Sequence, residues 1–106
     1  MYDFRKWREW LKQQESALAG EGFETSFRAG PDDSPKPGVC LDVIGTRAFG
    51  SFENWATGET DYSIFARTPP ELCVISHKWG VIVSDSTFNS VYSEFLFKLH
   101  EANRHD

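Results

Sequence analysis

The stretch AFGSFENWATGETDYSIFA, residues 48–66, decides the architecture, because it alternates with a period of two on both sides of Thr57-Gly58. In its first half Phe49, Ser51, Glu53 and Trp55 fall on one face and Gly50, Phe52 and Asn54 on the other. In the second half Tyr62, Ile64 and Ala66 oppose Asp61, Ser63 and Phe65. Two such runs joined through a glycine-bearing turn at 56–59 predict an antiparallel hairpin. Phe49, Phe52, Trp55, Tyr62 and Phe65 share this hairpin with the acids Glu53, Glu59 and Asp61. Each strand sends at least one large side chain to the face its other apolar groups avoid. A sheet covered by helices on one side only would leave such groups open to a partner.

Upstream, Phe4, Trp7, Leu11, Gln14 and Leu18 recur at steps of three and four, with Trp10 widening the stripe, which predicts an amphipathic helix over 3–19. Asp3 is placed to cap its first turn, and Gly20 or Gly22 to end its last in a left-handed conformation. Phe23, Thr25, Phe27 and Ala29 then alternate with Glu24, Ser26 and Arg28, the pattern of a half-buried strand. Residues 30–38 hold three prolines and two glycines, which exclude helix and central strand. They form an exposed loop that presents Asp32 and Asp33 on a proline-restrained backbone.

Val39 to Ile44 is apolar except for Asp42 and reads as a second strand, followed by the hairpin strands. Residues 67–71 make a further turn, and 72–83 hold one or two more strands, with Gly80 marking a bulge or a reversal. Phe88, Val91, Tyr92, Phe95, Leu96 and Leu99 carry a helical period to Ala102, with Ser84 or Asp85 as its cap and 103–106 expected to fray. At 106 residues this is one α+β domain: an N-terminal helix, an antiparallel meander of four to six strands, and a C-terminal helix packed on one sheet face.

The net charge is −5, and residues 21–61, with three bases and eight acids, hold the whole acidic excess. A phosphate backbone would be repelled, so nucleic acid is not the partner. An acidic face steers basic proteins instead, although acids so placed also serve solubility alone. No run of about 18 apolar residues crosses a membrane and no apolar leader opens the chain, which points to a soluble, cytoplasmic protein. Cys40 and Cys73, in separate apolar runs, are too far apart for a metal knuckle or redox pair and read as buried free thiols.

His77, His100 and His105 have no paired spacing for zinc, and no nucleophile elbow or phosphate loop occurs, so no catalytic residue, metal or cofactor is expected. Glu53 with Glu59 or Asp61 imitates a hydrolase carboxylate pair, but neither a cleft nor a third group accompanies it. The alternative is a small-ligand-binding domain or small metabolic enzyme in which His77 and the hairpin acids line a pocket.

The segment Ser34-Pro35-Lys36-Pro37-Gly38 leading into a strand, then Trp55-Ala56-Thr57-Gly58-Glu59-Thr60-Asp61, then an aromatic C-terminal helix through Phe95-Leu96-Phe97-Lys98-Leu99, resembles the TriTu-type immunity proteins of bacterial polymorphic toxin systems. The resemblance implies a small, non-enzymatic cytoplasmic protein that neutralises a cognate toxin made by the same cell or its kin. Trp55, Gly58 and Asp61 match its pattern. Contact residues do not carry over from it. Charge placement and the hairpin aromatics select Asp32, Asp33, Glu53, Trp55, Glu59 and Asp61 as the candidate partner-binding set, facing a toxin with a basic active-site surface.

Overall fold

The two sequence periods resolve into seven elements: α1 (Phe4–Gly20), β1 (Glu24–Ala29), β2 (Gly38–Ile44), β3 (Ala48–Trp55), β4 (Glu59–Ala66), β5 (Val74–Ile82) and α2 (Phe88–Asn103). The computed structural model describes residues 2–31, 33, 35–67 and 74–104. The strands form one five-stranded antiparallel sheet in chain order, so the meander and its two flanking helices are as expected. Both helices lie on the same side of it, α1 over β1 and β2, α2 over β3 and β4.

The core is the layer between them. Leu41, Val43, Ala48, Phe52, Tyr62 and Ile64 point inward from the sheet and meet Trp7, Leu11 and Leu18 of α1 and Phe88, Tyr92, Phe95 and Leu99 of α2. Phe52 is fully buried at the centre, its ring 5.3 Å from both Tyr92 and Phe95. The seam between the helices is aromatic as well, Trp7 stacking on Phe88 at 4.3 Å and Trp10 meeting Tyr92 edge-on at 4.9 Å. Trp7 and Trp10 are thus structural. Tyr2, Asn54 and Thr60 form a polar chain at the sheet's end, with the Tyr2 hydroxyl donating to Asn54 Oδ1 and the Asn54 amide to Thr60 Oγ1 at 3.0 Å.

Asp3 caps α1 by accepting the Lys6 N–H at 3.2 Å. At the other end Gly22 supplies the left-handed residue (φ +95°), and its N–H bonds Ala19 O while that of Phe23 bonds Leu18 O. This paired closure satisfies two of the orphan carbonyls of the last turn.

The cap expected for α2 is different. Thr87 precedes the helix without a side-chain cap, and the carbonyl of Ser84 closes the first turn by accepting from Thr87 and Phe88. Asp85 turns back to α1, where Oδ1 accepts the Asp3 N–H at 2.8 Å and Trp7 Nε1–H at 3.0 Å. Those two donors, the backbone one foremost, hold its carboxyl below the usual carboxylate range. Its contribution is therefore present above about pH 4 and lost as the pH falls through the lowered folded value. Thermal midpoints of wild type and Asp85→Asn measured from pH 7 to pH 2 are expected to converge on the acid side.

The tail is likewise held rather than frayed at Asn103. Its side-chain oxygen accepts the N–H groups of Arg47 and Ala48, both at 2.9 Å, and its amide donates to Leu99 O at 2.9 Å. The end of α2 is thereby tied to the β2–β3 turn; His105 and Asp106 lie outside the described residues.

In the hairpin, Phe52 faces Tyr62, Glu53 faces Asp61 and Asn54 faces Thr60. Gly58 (φ +90°) closes the reversal by donating its N–H to Trp55 O at 2.8 Å. The segment beyond is one strand with two register shifts: pairing passes from Thr60–Val81 to Tyr62–Lys78, so Trp79 and Gly80 together oppose Asp61, and from Ile64–Ser76 to Phe65–Val74, which skips Ile75. Gly80 takes φ +72°, and its N–H bonds Asp61 Oδ1 at 2.6 Å. Residues 68–73, including Cys73 and most of the expected 67–71 turn, lie outside the described residues. Among the described residues no helix is long and apolar enough to cross a membrane.

Candidate functional site

Because the strand period is two, the side chains not used in the core line up on the sheet face that no helix among the described residues covers. The register sets them in rows. Ile44, Phe49, Phe65 and Val74 form an apolar row, and Asp42, Ser51, Ser63 and His77 a polar one beside it. Arg28, Cys40, Glu53 and Asp61 form a third. Trp55 lies opposite Gly38, where a Cβ would come within 2.7 Å of the indole.

Four of the six candidate residues, Glu53, Trp55, Glu59 and Asp61, are therefore brought to one face. Asp33 is exposed in the 30–38 loop, whose Lys36 pairs with Glu59 at 2.7 Å and sits 5.3 Å over the Trp55 ring. Asp32 lies outside the described residues. Glu59 is thus partly neutralised.

Glu53 is not. Among the described residues its carboxylate has neither a hydrogen bond nor an ion pair, while Asp42 is held by Arg28 at 2.8 Å and by the Ser51 hydroxyl at 2.9 Å. Burial pushes the Glu53 carboxyl above the usual range, Asp61 and Asp42 add to the rise, and Arg28 opposes it. A raised folded value means that ionised Glu53 weakens the fold at neutral pH, an effect that fades as the pH falls and the group protonates. Like charges directly opposed on paired strands are destabilising. Glu53→Gln is accordingly expected to raise the thermal midpoint at pH 7 and to lose that advantage at acid pH.

Aromatic groups flank the acids. Phe49 and Phe65 stack at 5.0 Å across the hairpin. Trp79, 63 % exposed, donates its Nε1–H to Ser63 Oγ at 3.1 Å and lies 4.3 Å from His77. Two shallow depressions meet at Glu53: one of about 400 Å³ toward Arg28, Lys36 and Trp55, and one of about 510 Å³ toward Ser51, Phe49 and Phe65. His77 lines neither.

Cys40 corrects an expectation. It is a free thiol but not a core residue: β2 turns Val39, Leu41 and Val43 inward, which sends Cys40, Asp42 and Ile44 outward. Its half-buried sulfur accepts from Arg28 Nη2 at 3.2 Å and lies 3.3 Å from Ser51 Oγ, and burial pushes the thiol pKa up. The sequence-based set also left out Asp42, Ser51, Ser63 and Trp79. Stepping by two from Glu53 and Asp61 would have found the serines, and reading β2 by alternation rather than as an apolar run would have found Asp42.

Fold and face together define a small α+β protein with both helices on one side of a five-stranded meander and, among the described residues, the other side of the sheet open. Residues 5–97 match the family model described as immunity protein TriTu, and the chain belongs to the TriTu family of immunity proteins. That is the family anticipated from residues 34–38, from 55–61 and from the aromatic C-terminal helix. No curated protein matches the chain, and no solved structure does.

Proposed function

We propose that this immunity protein is a single domain over residues 1–106 that binds and neutralises a cognate secreted bacterial toxin through the outer face of its sheet, without catalysis. The observation that carries the proposal is the uncovered face itself, where Glu53 and Asp61 oppose each other between Trp55, Trp79 and the Phe49–Phe65 stack. Carboxylates there speed encounter with a basic toxin surface, and desolvated aromatics slow its release. The opposed acids weaken the free protein, and an arriving cation relieves that repulsion. The cytoplasm, where an unpaired thiol such as Cys40 stays reduced, is the compartment in which it acts.

The test is the double reversal Glu53→Lys with Asp61→Lys, titrated calorimetrically against the toxin encoded beside the protein. Affinity is expected to fall between about tenfold and a hundredfold, chiefly through slower association, with a flatter dependence on salt. Unchanged affinity and salt dependence would remove the outer face from the interface. The small-ligand or metabolic-enzyme alternative draws no support from His77, which is exposed against Trp79 rather than set in a pocket.

A further inference from the structure

The larger of the two outer-face depressions combines three kinds of wall. One side is the Phe49–Phe65 stack. The floor carries the Ser51 and Ser63 hydroxyls, and the far side is closed by Asp42 and Glu53. Ser51 donates to Asp42, and Ser63 accepts from Trp79, so each serine oxygen retains a lone pair. Asp42 is occupied by Arg28 and Ser51, which leaves Glu53 as the carboxylate available to a guest. Of the cations nearby, Arg28 is held by Asp42, and Arg67 on the rim donates to Gly45 O at 2.6 Å.

We infer that this depression receives one arginine side chain of the toxin; the assignment rests on the outer face being the toxin-binding surface. An arginine has an apolar stem and a planar head that stack along aromatic rings, and it offers five N–H donors spread in a fork. Here the fork meets a carboxylate and two hydroxyl oxygens around a half-buried floor. A lysine ammonium would satisfy Glu53 but lacks the plane that matches Phe49 and Phe65. Asp61, directly across from Glu53, deepens the negative potential behind the bound head without entering the depression. The pocket is thus built for charge, shape and hydrogen bonding at once, with one of its acids unpaired among the described residues.

The intact ¹⁵N-labelled chain would be titrated with acetyl-arginine-amide and, separately, acetyl-lysine-amide while backbone amide shifts are followed by NMR. Saturable shifts centred on Ser51, Glu53, Ser63 and Phe65 are expected with the arginine probe, at least about threefold weaker with lysine. They should be lost in Glu53→Gln, whose thermal midpoint verifies folding, and kept in Glu101→Gln on the opposite side of the protein. No saturable response, an equal response to lysine, or a response retained in Glu53→Gln would overturn the inference. If the double reversal weakens toxin binding while the arginine probe leaves the depression untouched, the outer-face interface stands and the arginine assignment falls. If the probe binds but the reversal leaves toxin affinity intact, the outer-face interface falls and takes the toxin's arginine with it.

Discussion

Phe52→Ala is expected to destabilise the protein by about 3–5 kcal/mol, the range for removing a fully buried aromatic. Phe52 is 0 % exposed, on a central strand, with its ring against Phe88, Tyr92 and Phe95 of α2 and with Tyr62 opposite on β4. Those neighbours cannot close over a methyl group, because Phe95 is already pressed against Gly50, where even a Cβ would come within 2.7 Å of its ring. The lost ring therefore leaves a cavity as well as lost transfer energy. Since a domain of this kind is stable by only about 5–15 kcal/mol, the change consumes a large part of the total. In urea the unfolding midpoint should fall with the slope unchanged. A loss below about 1.5 kcal/mol, outside the range for a ring removed from a rigid core, would show that the sheet–α2 contact is not the centre of the fold.

Gly58→Ala is the second large effect, and its cause lies in the backbone. Gly58 combines φ +90° with a carbonyl that accepts the Val83 N–H at 2.9 Å, joining the hairpin turn to the segment that follows β5. A Cβ there would sit 2.7 Å from Val83 O, a backbone atom that cannot rotate away. Left-handed strain of about 1–2 kcal/mol is thus compounded by crowding of about 1–3 kcal/mol. The expected outcome is a loss of about 2–5 kcal/mol by urea denaturation, with faster amide exchange at Trp55, Gly58 and Val83. A variant as stable as wild type would mean that the turn can abandon its contact with Val83.

Much of this was legible beforehand because it is local. The period of two in 48–66 separated Phe52 from Glu53 and Trp55, and Tyr62 and Ile64 from Phe65, with the choice of buried face left to the structure, and the helical stripe through Trp7, Leu11 and Leu18 fixed which face of α1 is buried. What was not legible depends on contacts far along the chain. Asp85 looks like the cap of the helix that follows it until α1 arrives beside it, eighty-two residues away, with two unsatisfied donors. Asn103 looks like a fraying end until the β2–β3 turn offers its N–H groups. Cys40 was misplaced for a different reason: an apolar run hides its own alternation, and the one polar residue in it, Asp42, marks the outward parity that Cys40 shares. The depression beside Glu53 was out of reach for the first reason, since its walls come from three strands whose register no single segment states.

The Gly58 turn has a consequence for how such a protein can be re-targeted. It returns the chain with the same parity, so odd-numbered positions face outward and even-numbered ones inward on β3 and β4 alike. On the proposed outer-face interface, specificity and foldability are written in two interleaved alphabets on the same strands. If that interface holds, a lineage, or an engineer with a combinatorial library, can rewrite positions 49, 51, 53, 55, 61, 63 and 65 to follow a changing adversary while the letters that hold the helices to the sheet stay as they are.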